Sequence, residues 1–293
     1  MYRGTFTALV TPFTPDNGID EDAFRKLIDF QFDNGITGIV PVGTTGESPT
    51  LTYDEHKRVI ALAVEYARGR GPVIGGTGSN STDEAIELTQ AAEAAGCEAV
   101  LQVCPYYNKP SQKGLFQHFK AIADGTKCKI ILYSIPGRSG IEIGVDTTAR
   151  LAAACPNIVT MKEAGGSVER VNQLVAACPE DFTVLSGDDS LTLSFMAVGA
   201  AGVISVASNV IPRQMSDLVN AALGEDYAAA RAIHKKFYRL FAAFLKLDTN
   251  PVPIKTAMAL KGMMRAGLRL PMVGMPDAKV EELRGVMREL GVV

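Results

Sequence analysis

Eight short apolar runs recur along the first three quarters of this chain, and a helical pattern follows each one. The runs are Phe6–Val10, Gly38–Val42, Pro72–Gly75, Ala99–Val103, Ile130–Ser134, Ile158–Lys162, Thr183–Ser186 and Gly202–Ser205. Short apolar runs bounded by turn signals read as buried strands. Apolar residues at helical spacing lie between them, near 20–34, 52–68, 82–95, 112–124, 146–154, 168–177, 188–198 and 212–223. Eight strand–helix units in about 223 residues fit a (β/α)8 barrel, the TIM-barrel class of α/β fold. An open doubly wound sheet is the alternative. No run carries a phosphate-loop signature, and eight evenly spaced units are many for an open sheet. The Gly-rich turns all follow strands, which would gather them at one barrel face.

From Gly224 onward the pattern changes. A long amphipathic helix is expected over Asp226–Lys246, a second over Ile254–Gly267 between proline breaks, and a last one near Ala278–Leu290. The expected division is a catalytic barrel over 1–223 and a C-terminal helical appendage over 224–293. With 47% hydrophobic and 21% charged residues, the chain can bury a large core. A net charge of −3 argues against nucleic acid or an anionic membrane as the main partner. No signal-like N-terminus or membrane-length apolar stretch is present, so the cytoplasm is the expected location. Five cysteines without a C-x-x-C spacing give no disulfide framework, zinc site or redox motif. His56, His118 and His234 fall on different helical patterns, so no histidine metal site is expected. Gly75-Gly76-Thr77-Gly78-Ser79 lacks the third glycine of a dinucleotide fingerprint, and there is no Walker A sequence.

In a barrel of this class the chemistry sits at the C-terminal ends of the strands. The sixth run stops at Lys162, before Glu163-Ala164-Gly165-Gly166. A lysine at the mouth of a packed core is costly to keep charged, so its pKa should fall and its free amine could attack a ketone. A snorkelling lysine is the ordinary alternative. After the second run, Gly43-Thr44-Thr45-Gly46-Glu47-Ser48 offers hydroxyls and backbone N–H groups that suit a small carboxylate, or is simply a turn. Tyr106-Tyr107 follow the fourth run and are either packing residues or site residues. Tyr133 lies near the end of the fifth run, and Arg138 in the next loop could clamp a carboxylate bidentately or be a solvated surface arginine. Together these residues suit a Schiff-base lyase acting on a small keto acid.

Gly43-Thr44-Thr45-Gly46-Glu47-Ser48, Tyr106-Tyr107-Asn108-Lys109-Pro110, Tyr133-Ser134-Ile135-Pro136-Gly137-Arg138-Ser139-Gly140 and Lys162-Glu163-Ala164 resemble the dihydrodipicolinate synthase family. The resemblance covers nearly the whole chain. The Gly-Thr motif and the lysine strand are shared with other pyruvate-dependent lyases, including N-acetylneuraminate lyase and sugar-acid aldolases. The tyrosine pair and Arg138 favour the synthase. The resemblance implies condensation of pyruvate with L-aspartate 4-semialdehyde, in the diaminopimelate route to lysine, to give 4-hydroxy-tetrahydrodipicolinate. Lys162 would form the imine. Tyr133, Thr44 and Tyr107 would relay protons, with Tyr107 reaching in from a neighbouring subunit. Thr45 would hold the pyruvate carboxylate and Arg138 that of the semialdehyde. Gly187 and Ile204 match backbone positions lining the pyruvate site. No metal or organic cofactor is implied, and a homotetramer built as a dimer of dimers is.

The resemblance also implies inhibition by L-lysine at a site formed by Ser48, Pro49, Tyr53, His56, Asn80, Glu84 and Tyr106. Glu84 has a competing local reading, because Ser81-Thr82-Asp83-Glu84 is a capping box at a helix start. Two other functions fit parts of the pattern: an aldolase for a sugar acid or hydroxy-keto acid, and a non-catalytic keto-acid or lysine sensor. The full set of Lys162, Tyr133, Thr44 and Tyr107 speaks against a sensor.

Overall fold

A computed structural model describes all residues, 1–293. The chain alternates β1 (Gly4–Ala8), α1 (Glu21–Asp33), β2 (Gly38–Val40), α2 (Tyr53–Ala67), β3 (Ile74–Gly76), α3 (Thr82–Ala94), β4 (Ala99–Val103) and α4 (Gln112–Asp124). It continues through β5 (Lys129–Ser134), α5 (Pro136–Ser139), α6 (Val145–Ala154), β6 (Ile158–Glu163), α7 (Val168–Ala177), β7 (Thr183–Ser186), α8 (Thr192–Met196), β8 (Gly202–Ser205) and α9 (Pro212–Leu223). Three helices follow: α10 (Tyr227–Lys246), α11 (Val252–Leu260) and α12 (Asp277–Glu289).

All eight strands pair in parallel in the order β2-β1-β8-β7-β6-β5-β4-β3. An isolated parallel bridge between Ile39 and Val73 joins the two ends and closes the barrel. The (β/α)8 reading therefore holds, and the open sheet does not.

Period-two alternation sorts the strand residues into two cores. Phe6, Val40, Ile74, Leu101, Ile131, Leu185 and Ile204 fill the barrel interior. Their neighbours Val100, Ile130, Leu132, Met161, Val184 and Val203 face the helices, in a larger cluster that runs on into α10, α11 and α12.

Expected boundaries moved in a few places. The first strand is Gly4–Ala8 rather than Phe6–Val10, the second stops at Val40, and the third is Ile74–Gly76. The largest correction concerns the helix expected over Ile254–Gly267, which ends at Leu260. Gly262 takes φ +72, its N–H reaches Ala259 O, and the Met263 N–H reaches Met258 O. That is a Schellman stop, and it needs glycine at the left-handed position.

Candidate active site

Strand alternation decides which β6 side chain enters the barrel mouth. Met161 faces the helices, so Lys162 points inward and Glu163 outward, where its carboxylate accepts from Arg170 Nε at 2.8 Å. Lys162 is 6% exposed. It lies in register with Tyr133 on β5, and its Nζ sits 4.1 Å from the centroid of the Tyr133 ring. Gly187, just past β7, leaves the space: a Cβ there would come within 3.1 Å of Lys162 Cε and 2.7 Å of Ala164 Cβ. Burial lowers the Lys162 pKa to about 7, with the Arg138 charge acting the same way and the Asp189 charge opposing. Much of Lys162 is therefore free amine at neutral pH, the form a carbonyl electrophile needs.

Tyr133 and Thr44 wall a cavity of about 220 Å³ at this mouth, together with Gly43, Tyr106 and Arg138. Burial pushes the Tyr133 phenol up to about 12, while the Arg138 charge and a hydrogen bond with the Thr44 side chain pull it down. At neutral pH Tyr133 is thus a proton donor that needs a hydroxyl partner to pass protons on. The residue before the Gly-Thr turn, Val42, holds φ +57. For a β-branched residue this is strained backbone, of the kind that clusters at functional sites.

Thr45 is buried, and its Oγ1 accepts from Asn250 Nδ2 at 3.0 Å. The carbonyl of Asn250 accepts from Arg138 Nη2 at 2.8 Å. One residue from outside the eight strand–helix units therefore ties together the two expected carboxylate anchors. No local sequence pattern marks Asn250 or assigns a role to Asp189, which is buried and has its pKa raised to about 6 mainly by burial. Its Oδ2 accepts from the backbone N–H groups of Val206 and Ala207 at 3.1 and 2.8 Å. Its Oδ1 is buried without a partner. Ile204 lies fully buried in the barrel interior. Tyr107 stands apart from this group. It takes φ +72 and is 90% exposed, outside the cavity wall.

A second cavity, of about 190 Å³, shares Ser48, Pro49, Gly78 and Tyr106 with the first. Tyr53, His56 and Glu84 also line it, together with Leu51, Ser79 and Leu88. The capping box expected at Ser81 is only half formed: Ser81 Oγ accepts the Glu84 N–H, but the Glu84 carboxylate accepts instead from Ser79 Oγ at 2.7 Å. Hydrogen bonds from Ser79 and Tyr53 lower the Glu84 pKa, so it faces the cavity as an anion. His56 Nε2 is bonded to Gly76 O at 2.7 Å. Asn80, expected in the same site, is not part of this wall; its Nδ2 donates to Tyr106 O at 3.1 Å and so ties it to the tyrosine loop. No group of three or more His, Cys, Asp or Glu side chains is placed to hold a metal ion.

Residues 1–290 match the model of the dihydrodipicolinate synthetase family. The chain is 49% identical over 294 residues to the 4-hydroxy-tetrahydrodipicolinate synthase of Sulfurihydrogenibium sp. (strain YO3AOP1), with both chains fully covered. It superposes on the crystal structure of dihydrodipicolinate synthase from Aquifex aeolicus with a TM-score of 0.98, at 47% identity and 99% coverage of each chain. A similar fit, with a TM-score of 0.97, 38% identity and 100% and 99% coverage, is made to the enzyme from Cyanidioschyzon merolae with lysine bound.

Proposed function

The chain belongs to the dihydrodipicolinate synthetase family, and on that premise we propose that the mouth around Lys162 carries its reaction. The activity is 4-hydroxy-tetrahydrodipicolinate synthase, a lyase of lysine biosynthesis. Lys162 Nζ attacks the ketone carbon of pyruvate, water leaves, and an imine forms. The imine draws electrons from the pyruvate methyl, which loses a proton and becomes an enamine. The enamine carbon attacks the aldehyde of L-aspartate 4-semialdehyde. The amine of that substrate then displaces Lys162 and closes the six-membered ring. Tyr133 and Thr44 move protons during imine formation. Thr45 holds the pyruvate carboxylate; because its oxygen accepts from Asn250, its own proton is free to donate. Arg138 holds the second carboxylate. Gly187 gives Lys162 room, and Ile204 closes the floor. In this reading 1–223 is the catalytic barrel and 224–293 the helical part that braces it.

The observation that carries the reading is the buried Lys162 amine set over the Tyr133 ring, with Thr44 in the same cavity wall as that tyrosine. Borohydride reduction in the presence of pyruvate, followed by peptide mapping, should place one pyruvate adduct on Lys162. Semialdehyde turnover is assayed alongside. An adduct without turnover would mean that the second substrate is a different aldehyde; no adduct would remove the mechanism.

Tyr107 is exposed in a single chain and lies outside the wall of that chain's own cavity. We propose that it completes the site of a second copy, within a homotetramer that works in the cytoplasm; no helix is long and apolar enough to cross a membrane. Sedimentation would give the assembly state. Mixing inactive Tyr107→Phe and Lys162→Ala chains should restore some activity if the tyrosine is donated between copies.

The second cavity suits an amino acid: Glu84 offers a negative charge for an ammonium group, and the Tyr106 loop offers polar groups for a carboxylate. We propose that it binds L-lysine as a feedback inhibitor. Turnover at subsaturating pyruvate that is unchanged by millimolar lysine would count decisively against this.

A further inference from the structure

The turn that carries Thr44 and Thr45 is held by a buried ion pair that takes no part in the steps above. Glu47 follows the turn at φ +56, and its side chain folds back beneath it. Glu47 Oε1 accepts from Lys255 Nζ at 2.5 Å, and both side chains are essentially inaccessible, at 2% and 0% exposure. Lys255 Nζ also donates to Thr11 O at 2.8 Å and lies 4.2 Å from the centroid of the Phe13 ring. The second carboxylate oxygen of Glu47 accepts the Arg269 N–H at 3.1 Å.

Lys255 belongs to α11, and Asn250 lies just before that helix. The same segment thus grips the turn at two points: the Thr45 hydroxyl through Asn250 and the Glu47 carboxylate through Lys255. A third tie comes from Thr11 Oγ1, which donates to Gly46 O at 2.7 Å. The turn's own backbone bonds, Gly46 N–H to Gly43 O and Glu47 N–H to Thr44 O, close it locally, and the ion pair and the Asn250 and Thr11 bonds fix it against the rest of the barrel. A buried ion pair adds little net stability compared with an apolar pair of the same size. Its use here is geometric.

We propose that Glu47 and Lys255 are positioning residues for the pyruvate-carboxylate clamp, acting through Thr45 without touching substrate. The inference rests on the reading that Thr45 binds that carboxylate.

The double variant E47Q/K255M tests it. Removing both charges avoids leaving one buried and unpaired, and the glutamine keeps an acceptor for the Arg269 N–H. Adduct formation on Lys162 is measured against pyruvate concentration by borohydride trapping. The double variant should reach the wild-type extent of adduct at saturation, with a half-saturating pyruvate concentration raised about 10-fold, the equivalent of one weakened charge-assisted hydrogen bond. Thr45→Ala should raise it similarly. The triple variant T45A/E47Q/K255M should rise no further, because residues that act through one contact are not additive. Lys255→Arg keeps the charge but changes the reach, and provides the same readout in a milder form if the double variant does not fold. Its half-saturation should rise a few-fold.

Wild-type half-saturation in the folded charge-altered variants would overturn the proposal, and so would a triple variant whose loss is the product of the separate losses. Either result leaves the Lys162 chemistry standing. A wild-type protein that forms no adduct would strike the functional reading itself, and the inference with it.

Discussion

Lys162 and Lys255 are both buried, and the fold treats them oppositely. Around Lys255 the fold supplies a carboxylate, a carbonyl and an aromatic face at close range. Around Lys162 it supplies a tyrosine ring and space, and no hydrogen-bonded anion. Burial pulls both amines below the ordinary lysine range. Glu47 acts against that pull at Lys255 through direct contact, whereas Asp189 opposes it at Lys162 only through its field. Burial alone does not make a lysine a nucleophile. The withheld partner does, and the cost falls on stability.

The sharpest test of this contrast is to make the same substitution at both positions. Lys162→Met should abolish the pyruvate adduct and reduce turnover by about 10³-fold or more. It should also stabilise the fold at neutral pH. Unfolded Lys162 holds its proton up to about 10.5, and folded Lys162 only below about 7. Between those values the unfolded chain binds more protons, so wild-type stability should rise with pH across that window. The Met variant should lack this rise in thermal or denaturant melts. A Lys162→Met protein no more stable than wild type at pH 7 would break the comparison.

Lys255→Met should do the reverse. It strands the Glu47 carboxylate in a buried site and should cost about 3–5 kcal/mol of stability, read from the urea midpoint. Adding Glu47→Gln should recover much of that loss. If the single variant melts like wild type, the pair is not the buried contact described above.

The two lysines also differ in how far the sequence exposed them. Lys162 ends an apolar run before a Gly-rich loop, Tyr133 sits near the end of β5, and Thr44 and Thr45 lie in the turn that follows β2. Strand alternation and the barrel rule act over a few residues, so those positions could be read locally. Lys255 could not. Its partner Glu47 is 208 residues away, and the Asn250–Thr45 bond spans 205. The available signal was a lone lysine in Val252-Pro253-Ile254-Lys255-Thr256-Ala257-Met258, a stretch that is buried throughout. A charge inside a helix that is apolar all round needs a partner. Sequence periodicity cannot say which carboxylate supplies it. Asp189 was hidden for a similar reason: it reads as the second acid of a loop pair, and only the fold turns it onto the Val206–Ala207 backbone.

A smaller effect probes the field at Lys162 itself. Arg138 lowers the pKa of this amine and Asp189 raises it. Replacing either with a neutral residue of similar shape should move Lys162 in opposite directions. Asp189→Asn removes a negative charge, disfavours the ammonium form and shifts the rise of imine formation to lower pH. Arg138→Gln removes a positive charge, favours the ammonium and shifts that rise to higher pH. Each shift should be about one unit or less, since neither group is bonded to Nζ. The rate of borohydride-trapped adduct against pH measures both, with pyruvate alone, so the separate loss of semialdehyde binding in Arg138→Gln does not enter. Shifts of the same sign would mean that repacking of the mouth, rather than charge, tunes this lysine.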